Sequence, residues 1–449
     1  MPFQGFALPD ELRLLAETVG EFVRREILPV EARTPGEQRH IAPDEIEKLR
    51  KKAREAGFWC LDAPERFGGG GLTVFESVVV GEQMAKHRYS IPRPGAGAFG
   101  LEPPAALYRG TPEQIERYVL PTIENAWPSF TAISEPSGGS DPARAIRTTA
   151  VREGDSYRLN GRKMWASGAD QARYGVVYAR TDTESRRAGI SAFILDIDAP
   201  GIEVQPVPVL RDHWTTELTL NDVIIPAGHL IGQEGEGFAL AQDFFVRGRL
   251  RYASQAIGVA EEAMRLAVDW ARTRETFGAL LATRQAVQFA LADARVEINA
   301  ARYLTWDAAW DADHGINART KASIAKLHAT EAAFTIVDAM MQILGGMGMT
   351  SDLPLEHWFR GLRVSRVVEG PSEIQRFLIA RDILGRAALL WSPTGSVRCS
   401  RDCCAVSGRH PLPDRTPARI SDSPCDLTRS GAGHRRTLPG SPGNGEATP

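Results

Sequence analysis

Short stretches of this chain carry residue types that could do chemistry together. Glu369 lies in Val367-Val368-Glu369-Gly370-Pro371-Ser372-Glu373-Ile374-Gln375-Arg376, after two valines and before a glycine. Burial raises a carboxylate's pKa, and a positioned carboxylate in a dry pocket is suited to take a proton. Upstream, Gln342-Ile343-Leu344-Gly345-Gly346-Met347-Gly348 reads as a helix end running into a glycine-rich turn, where bare backbone can approach a large cofactor. Arg274, in Arg272-Thr273-Arg274-Glu275-Thr276-Phe277-Gly278, offers a guanidinium fork that suits phosphate oxygens. Each stretch also has a plain reading alone: a glutamate paired with Arg363, Arg366 or Arg376, a loop after a helix, a solvated arginine.

The elements that must position these residues follow from periodicity. Residues 1–125 read as helical: Leu12, Leu15, Val19, Phe22 and Val23 recur at spacings of three and four, with Pro29 expected to end that helix. Helices are also expected from Pro43 to Gly57 and from Thr73 to Met84, with a glycine-rich loop from Pro64 to Gly71 between them. Residues 126–236 carry strand signals, including Tyr174–Tyr178, Ser191–Ile197, Ile202–Val209 and Glu217–Ile225, with Asn160-Gly161 as a hairpin turn. Residues 237–391 return to helix, through a stripe from Val287 to Leu304, an alanine-rich helix around Ala322–Ala339, and a last helix over 362–391 bearing Glu369 near its start. Residues 392–449 contain no Lys, Phe, Tyr, Trp or Met and are rich in Pro, Ser, Gly and Arg, so a disordered tail is expected.

Two further segments complete a pattern. Phe130-Thr131-Ala132-Ile133-Ser134-Glu135-Pro136-Ser137-Gly138-Gly139-Ser140-Asp141 and Gly161-Arg162-Lys163-Met164-Trp165-Ala166-Ser167-Gly168 lie in the β region. Helical, β and helical regions bearing all these segments resemble the acyl-CoA dehydrogenase family over about residues 7–391. The resemblance implies an α+β fold: an N-terminal helical domain, a middle antiparallel β domain and a C-terminal four-helix bundle. It implies FAD as cofactor, with Ile133, Ser134, Trp165 and Ser167 at the flavin ring. Arg274, Phe277, Gln285, Gln342, Gly345, Gly346 and Glu373 would contact the cofactor, partly across a subunit boundary. Glu369 falls on the family's catalytic glutamate, and Ser140, Arg249, Val368 and Gly370 on substrate-contacting positions.

Some positions depart from the family pattern: Ser137 replaces glycine, Pro371 a cofactor-binding threonine, and Val368 a frequent tyrosine. Some members carry the base at the position of Gly248, where glycine cannot serve, so the choice falls on Glu369. Arg249 would hold that glutamate and lower its pKa, while Arg247 and Arg251 read as surface charges. The implied reaction is α,β-dehydrogenation of an acyl-CoA. Glu369 would remove the α proton, hydride would pass to flavin N5, and a backbone N–H with the flavin's ribityl hydroxyl would hold the thioester carbonyl. The residues near Ile91 to Gly100, with Val368, are expected to floor the acyl pocket. The implied partners are an electron-transferring flavoprotein and further copies of the chain, as a homodimer or homotetramer. A flavin oxidase or monooxygenase on the same fold, or a non-catalytic flavin-binding protein, are the other classes such a chain could join.

Composition excludes more than it assigns. Across 449 residues, 43% hydrophobic and 24% charged, the balance is that of a globular protein with material for a core. A net charge of -3 gives no reason to expect nucleic acid or an anionic membrane as partner. No membrane span and no secretion signal are expected, and hence a cytoplasmic location. Of the five cysteines only Cys60 precedes residue 392, so neither a disulfide framework nor a metal site built on Cys399, Cys403, Cys404, His410 and His434 is expected.

Overall fold

The computed structural model describes residues 7–385, apart from 37, 39, 92, 186–187 and 211–214. The expected tail, with its cysteines and histidines, lies outside the described residues. The N-terminal part is helical: α1 (Asp10–Phe22), α2 (Leu28–Arg33), α3 (Pro43–Glu55), α4 (Val74–Met84), α5 (Pro112–Gln114) and α6 (Leu120–Asn125). Pro29 does not end the first helix. A π turn at Val23–Ile27 joins α1 to α2, with the Leu28 N–H reaching back to the Val23 carbonyl. The wider turn gives the pyrrolidine ring room beside the preceding carbonyls. The same device, a π turn at Ile115–Val119, precedes Pro121.

One eight-stranded sheet follows, formed by β1 (Ser129–Ala132), β2 (Thr149–Glu153), β3 (Ser156–Ser167), β4 (Tyr174–Arg180), β5 (Ile190–Asp196), β6 (Ile202–Val207), β7 (Thr215–Pro226) and β8 (Leu230–Ile231). The short helix α7 (Pro142–Ala145) falls between β1 and β2. Strand order is β6-β7-β3-β2-β4-β5-β8, with β1 also paired to β4. The sheet is not wholly antiparallel, since β4 runs parallel to both β1 and β2. Tyr157, Leu159, Val177, Phe193 and Leu218 fill its interior. Asn160-Gly161 is not the hairpin turn: it sits inside β3 at a register shift, and the β2–β3 turn is Gly154-Asp155. A side chain at 161 would press on Thr148, its Cβ 2.5 Å from the Thr148 hydroxyl, so glycine there serves a bulge rather than a reversal.

The C-terminal part holds α8 (Gly237–Thr273), the hairpin β9 (Glu275–Thr276) and β10 (Ala279–Leu280), α9 (Gln285–Asp313), α10 (Arg319–Leu344), α11 (Leu355–Ser365) and α12 (Ser372–Leu384). Residues 362–391 are therefore not one helix, and Glu369 lies in the turn between α11 and α12. By length and composition the helical run Arg319–Met349, which contains α10, could cross a membrane, whereas no span is expected from the sequence. Alanine explains this: it raises hydropathy without volume, and Ala322, Ala325, Ala329 and Ala333 are buried in the core shared with α8 and α9.

Helix α8 is the spine to which the N-terminal helices attach. A Cβ at Gly258 would stand 2.1 Å from the Glu82 carbonyl oxygen on α4, and one at Gly81 would stand 2.6 Å from the Ser254 hydroxyl. Only hydrogen at these positions lets α4 and α8 cross so closely. Ser254 donates to the Val78 carbonyl at 2.7 Å across the same contact. The Asp313 carboxylate, at the end of α9, accepts from the Val74 and Phe75 N–H groups, each at 2.8 Å, and so caps α4 from outside. Gly258→Ala forces the helices apart, and a loss of about 1–3 kcal/mol is expected in denaturant unfolding, the range for overpacking.

Candidate active site

The α11–α12 turn is shaped by backbone strain. Glu369 and Gly370 are consecutive left-handed residues, φ 53° and 86°. Glycine adopts this at no steric cost, whereas a glutamate does so only when held. Several groups hold it. The Gln375 side-chain amide, buried on α12, donates to the Glu369 carbonyl at 3.0 Å and to the Gly370 carbonyl at 2.8 Å. The Lys326 ammonium, fully buried on α10, donates to the Gly370 carbonyl at 3.1 Å. The Ser372 N–H donates to the Arg366 carbonyl at 3.0 Å and closes the loop.

This turn delivers the Glu369 side chain against α8. A Cβ built on Gly248 would lie 2.9 Å from Glu369 Oε2. The residue as a whole is half-buried, but Oε2 itself is buried and has no hydrogen-bond partner among the described residues. Burial pushes the carboxyl above its ordinary range, against the pull of Arg251, Arg249 and Lys326. Glu369 does not pair with Arg363, Arg366 or Arg376; Arg366 instead bridges to Glu331 at 2.7 Å. Arg249 is buried, donates to the Ser323 hydroxyl at 3.2 Å and leaves Nε unpartnered.

Sequence reasoning missed Lys326 and Gln375, and it placed Arg251 on an inert surface. Arg251 is exposed, yet it is the foremost of the charges that act on Glu369. Its spacing was the available signal, since it lies one helical turn beyond Gly248 on the same face. Of the stretch expected to floor a pocket, Ile91 packs into the bundle core and Phe99 into the N-terminal core.

The second group of residues gathers on the sheet. The Met164 N–H donates to the Ser134 carbonyl at 2.9 Å, which lashes the Ile133–Gly139 loop to β3. Beneath the loop, Glu135 accepts from Lys163 at 2.7 Å, from the Thr148 N–H at 3.0 Å and hydroxyl at 2.6 Å, and from the Arg147 N–H at 2.8 Å. Burial alone would raise the Glu135 carboxyl; Lys163 and these donors more than offset it and hold it below its ordinary value. Burial pulls the Lys163 amine down to about 8, which works against the pair. The crowd of donors on one carboxylate favours the ionised arrangement at neutral pH.

Trp165 is 51% exposed and left-handed at φ 67°, at a second register shift in β3. It is no core aromatic: strained backbone turns a large ring outward, two residues before the exposed Ser167. Ser140 is exposed on the rim of a depression of about 400 Å³ lined also by Ser137, Gly138, Gly139, Asp141, Arg144, Ala145 and Arg147.

The remaining predicted residues join neither group. Arg274, Phe277 and Gln285 are exposed on and beside the β9–β10 hairpin, where Phe277 is 102% exposed and left-handed at φ 50°. Gln342, Gly345 and Gly346 are exposed at the end of α10, and Glu373 is exposed at the start of α12. Val368 is half-buried against the bundle core. Phe289, Val296, Tyr303 and Trp310, spaced by seven along α9, form an exposed apolar stripe. Among the described residues no group of His, Cys, Asp and Glu is arranged to hold a metal.

Comparison with known proteins identifies the family. The acyl-CoA dehydrogenase N-terminal, middle and C-terminal domain models match residues 9–125, 131–223 and 235–384. The mitochondrial short-chain specific acyl-CoA dehydrogenase of Bos taurus is 36% identical over 385 residues, covering 85% of this chain and 92% of the relative. Butyryl-CoA dehydrogenase from Megasphaera elsdenii superposes with a TM-score of 0.74 at 28% identity, over 85% of this chain and 100% of that one. A chain from the structural study of the electron transferring flavoprotein of Acidaminococcus fermentans superposes with a TM-score of 0.76 at 33% identity, over 85% of this chain and 100% of that one. On its motifs, its fold and these matches, the chain belongs to the acyl-CoA dehydrogenase family, a family of oxidoreductases.

Proposed function

We propose that this protein oxidises an acyl-CoA thioester to its 2,3-enoyl-CoA, with Glu369 as the general base. The observation that carries the reading is the buried, unpartnered Oε2 of Glu369, held by a strained and stapled turn against a helix that shows it only a glycine hydrogen. A carboxylate whose raised pKa comes from burial is basic enough to take an α proton, provided it is ionised. Arg251, Arg249 and Lys326 work towards that condition by favouring its ionised form against burial. Water kept from Oε2 leaves its lone pairs for substrate.

The cofactor is FAD, and the residues present suit it. Trp165 offers an exposed ring face, Ser134 and Ser167 offer hydroxyls, and Arg274 offers a guanidinium on a projecting hairpin. When bound, FAD supplies the hydride acceptor. Ser140, on the rim of its depression, would orient the thioester-bearing arm, and the Glu369-Gly370 turn would present backbone N–H groups to the thioester carbonyl. Electrons would pass on to an electron-transferring flavoprotein. We assign a homodimer or homotetramer, supported by the exposure of Arg274, Phe277 and Gln342 in a single chain and by the apolar stripe on α9. A cytoplasmic location is part of the same reading.

Anaerobic bleaching of the flavin by a panel of acyl-CoA thioesters tests the activity directly. Glu369→Gln is expected to retain FAD and bind thioester while bleaching about a thousand-fold more slowly, the scale of lost general-base catalysis. Wild-type rates in that variant refute the assignment. Lys326→Met removes a cation that favours ionised Glu369. The acid limb of its kcat/KM profile is expected to move to higher pH, whereas an unmoved limb refutes the coupling. Val296→Arg places charge in the α9 stripe and is expected to lower the mass measured by light scattering; an unchanged mass removes the stripe from the interface.

A further inference from the structure

The face of α8 that meets Glu369 carries more than Gly248. Arg247 precedes that glycine, and Arg251 follows one turn later on the same side. Both are exposed, and among the described residues neither guanidinium closes a hydrogen bond or an ion pair. Across from them lies the loop that bears Glu102. This loop is pinned to the N-terminal helices: the Cys60 N–H donates to the Phe99 carbonyl at 2.8 Å, and the Cys60 thiol donates to the Leu101 carbonyl at 3.5 Å. The turn that follows, Ala105–Arg109, packs on α8, with Tyr108 and Phe245 in one apolar cluster. The fold thus brings Glu102 to the same stretch of α8 that carries the two arginines. Arg251 acts electrostatically on both Glu369 and Glu102, so its charge is within range of the base and of this loop.

From this placement we infer that the acyl pocket beyond Glu369 is built for an acyl-CoA whose chain ends in a carboxylate, received by Arg251 and Arg247 and by Glu102. The inference rests on the dehydrogenase reading and names its substrate class. A plain alkyl end would strip water from two guanidinium groups and a carboxyl without giving them partners, which is costly. A carboxylate end matches the guanidinium fork in two parallel hydrogen bonds. Glu102 fits the same ligand. Solvent reaches it, yet enough protein surrounds it that burial, with repulsion from Asp62, pushes its carboxyl up to about 8 against the pull of Arg251 and Arg247. Burial and Asp62 favour its protonated form, and that form can donate to an incoming carboxylate.

The test compares succinyl-, glutaryl- and adipyl-CoA with butyryl- and hexanoyl-CoA on the FAD-loaded full chain. It is run alongside fluorescence titration of unreactive thioether analogues with carboxylate or methyl ends. The wild type is expected to favour carboxylate-ended thioesters by about ten- to a hundred-fold in kcat/KM, the scale of hydrogen bonds to charged groups. Arg251→Ala is expected to collapse that ratio, and Arg251→Lys to restore part of it. The analogue affinities are expected to follow the same order. Equal or greater preference for alkyl thioesters, or a ratio unchanged in Arg251→Ala, overturns the inference and leaves the dehydrogenase reading standing. Tighter binding of carboxylate-ended analogues without bleaching by any thioester supports the subsite and refutes the dehydrogenase reading. Bleaching by none and no analogue preference refutes both.

Discussion

One carboxylate oxygen kept from water without a hydrogen-bond partner is the constraint around which the rest of this chain is arranged. Desolvating Glu369 is unfavourable, and the strained backbone that carries it adds to the cost. The fold opposes both. The Gln375 amide and the Lys326 ammonium fasten the turn through its carbonyl oxygens, and three cations from two helices favour the ionised side chain, against burial, without contacting Oε2. A direct ion pair would have quenched the base. Charge held at a short remove stabilises the anion and leaves its lone pairs free for a substrate proton.

Helix α8 ties this arrangement together. Within one element it supplies the close crossing with α4 at Gly258, the floor under the carboxylate at Gly248, the buried Arg249, and Arg247 and Arg251, unpaired among the described residues. Its contact with α4 fixes the N-terminal helices, and hence the Glu102 loop, relative to the base. The sheet is built on a separate logic. There a buried carboxylate, Glu135, gathers donors from several directions and holds the Ile133–Gly139 loop in place. One site leaves a buried acid unsatisfied so that it can react, and the other saturates a buried acid so that its loop stays fixed.

Much of this was legible in residue order. The helical, β and helical regions follow from periods of three to four and of two, and Glu369 stood out because a carboxylate between valines and glycine is anomalous. Other features were not legible, for identifiable reasons. Pro29 breaks helices in general, but a π turn is a cooperative adjustment that no local propensity announces. Asn160-Gly161 has the composition of a hairpin, and only its pairing partner reveals a bulge. Lys326 acts through a carbonyl 44 residues away, and Gln375 through carbonyls of the turn before its own helix; periodicity assigns both merely to a buried face. Arg251 was misread because exposure and inertness are different properties: a side chain can meet solvent and still direct its field into a cleft.

The most direct test of the central claim is exchange of the α protons of a bound acyl-CoA with D2O, followed by NMR on the anaerobic holoenzyme. It reports proton removal independently of hydride transfer and of the final electron acceptor. The wild type is expected to wash deuterium into the α-carbon, and Glu369→Gln to leave that carbon protonated while still binding the thioester. Undiminished exchange in the variant would mean that another group takes the proton, and the account of Glu369 would be wrong.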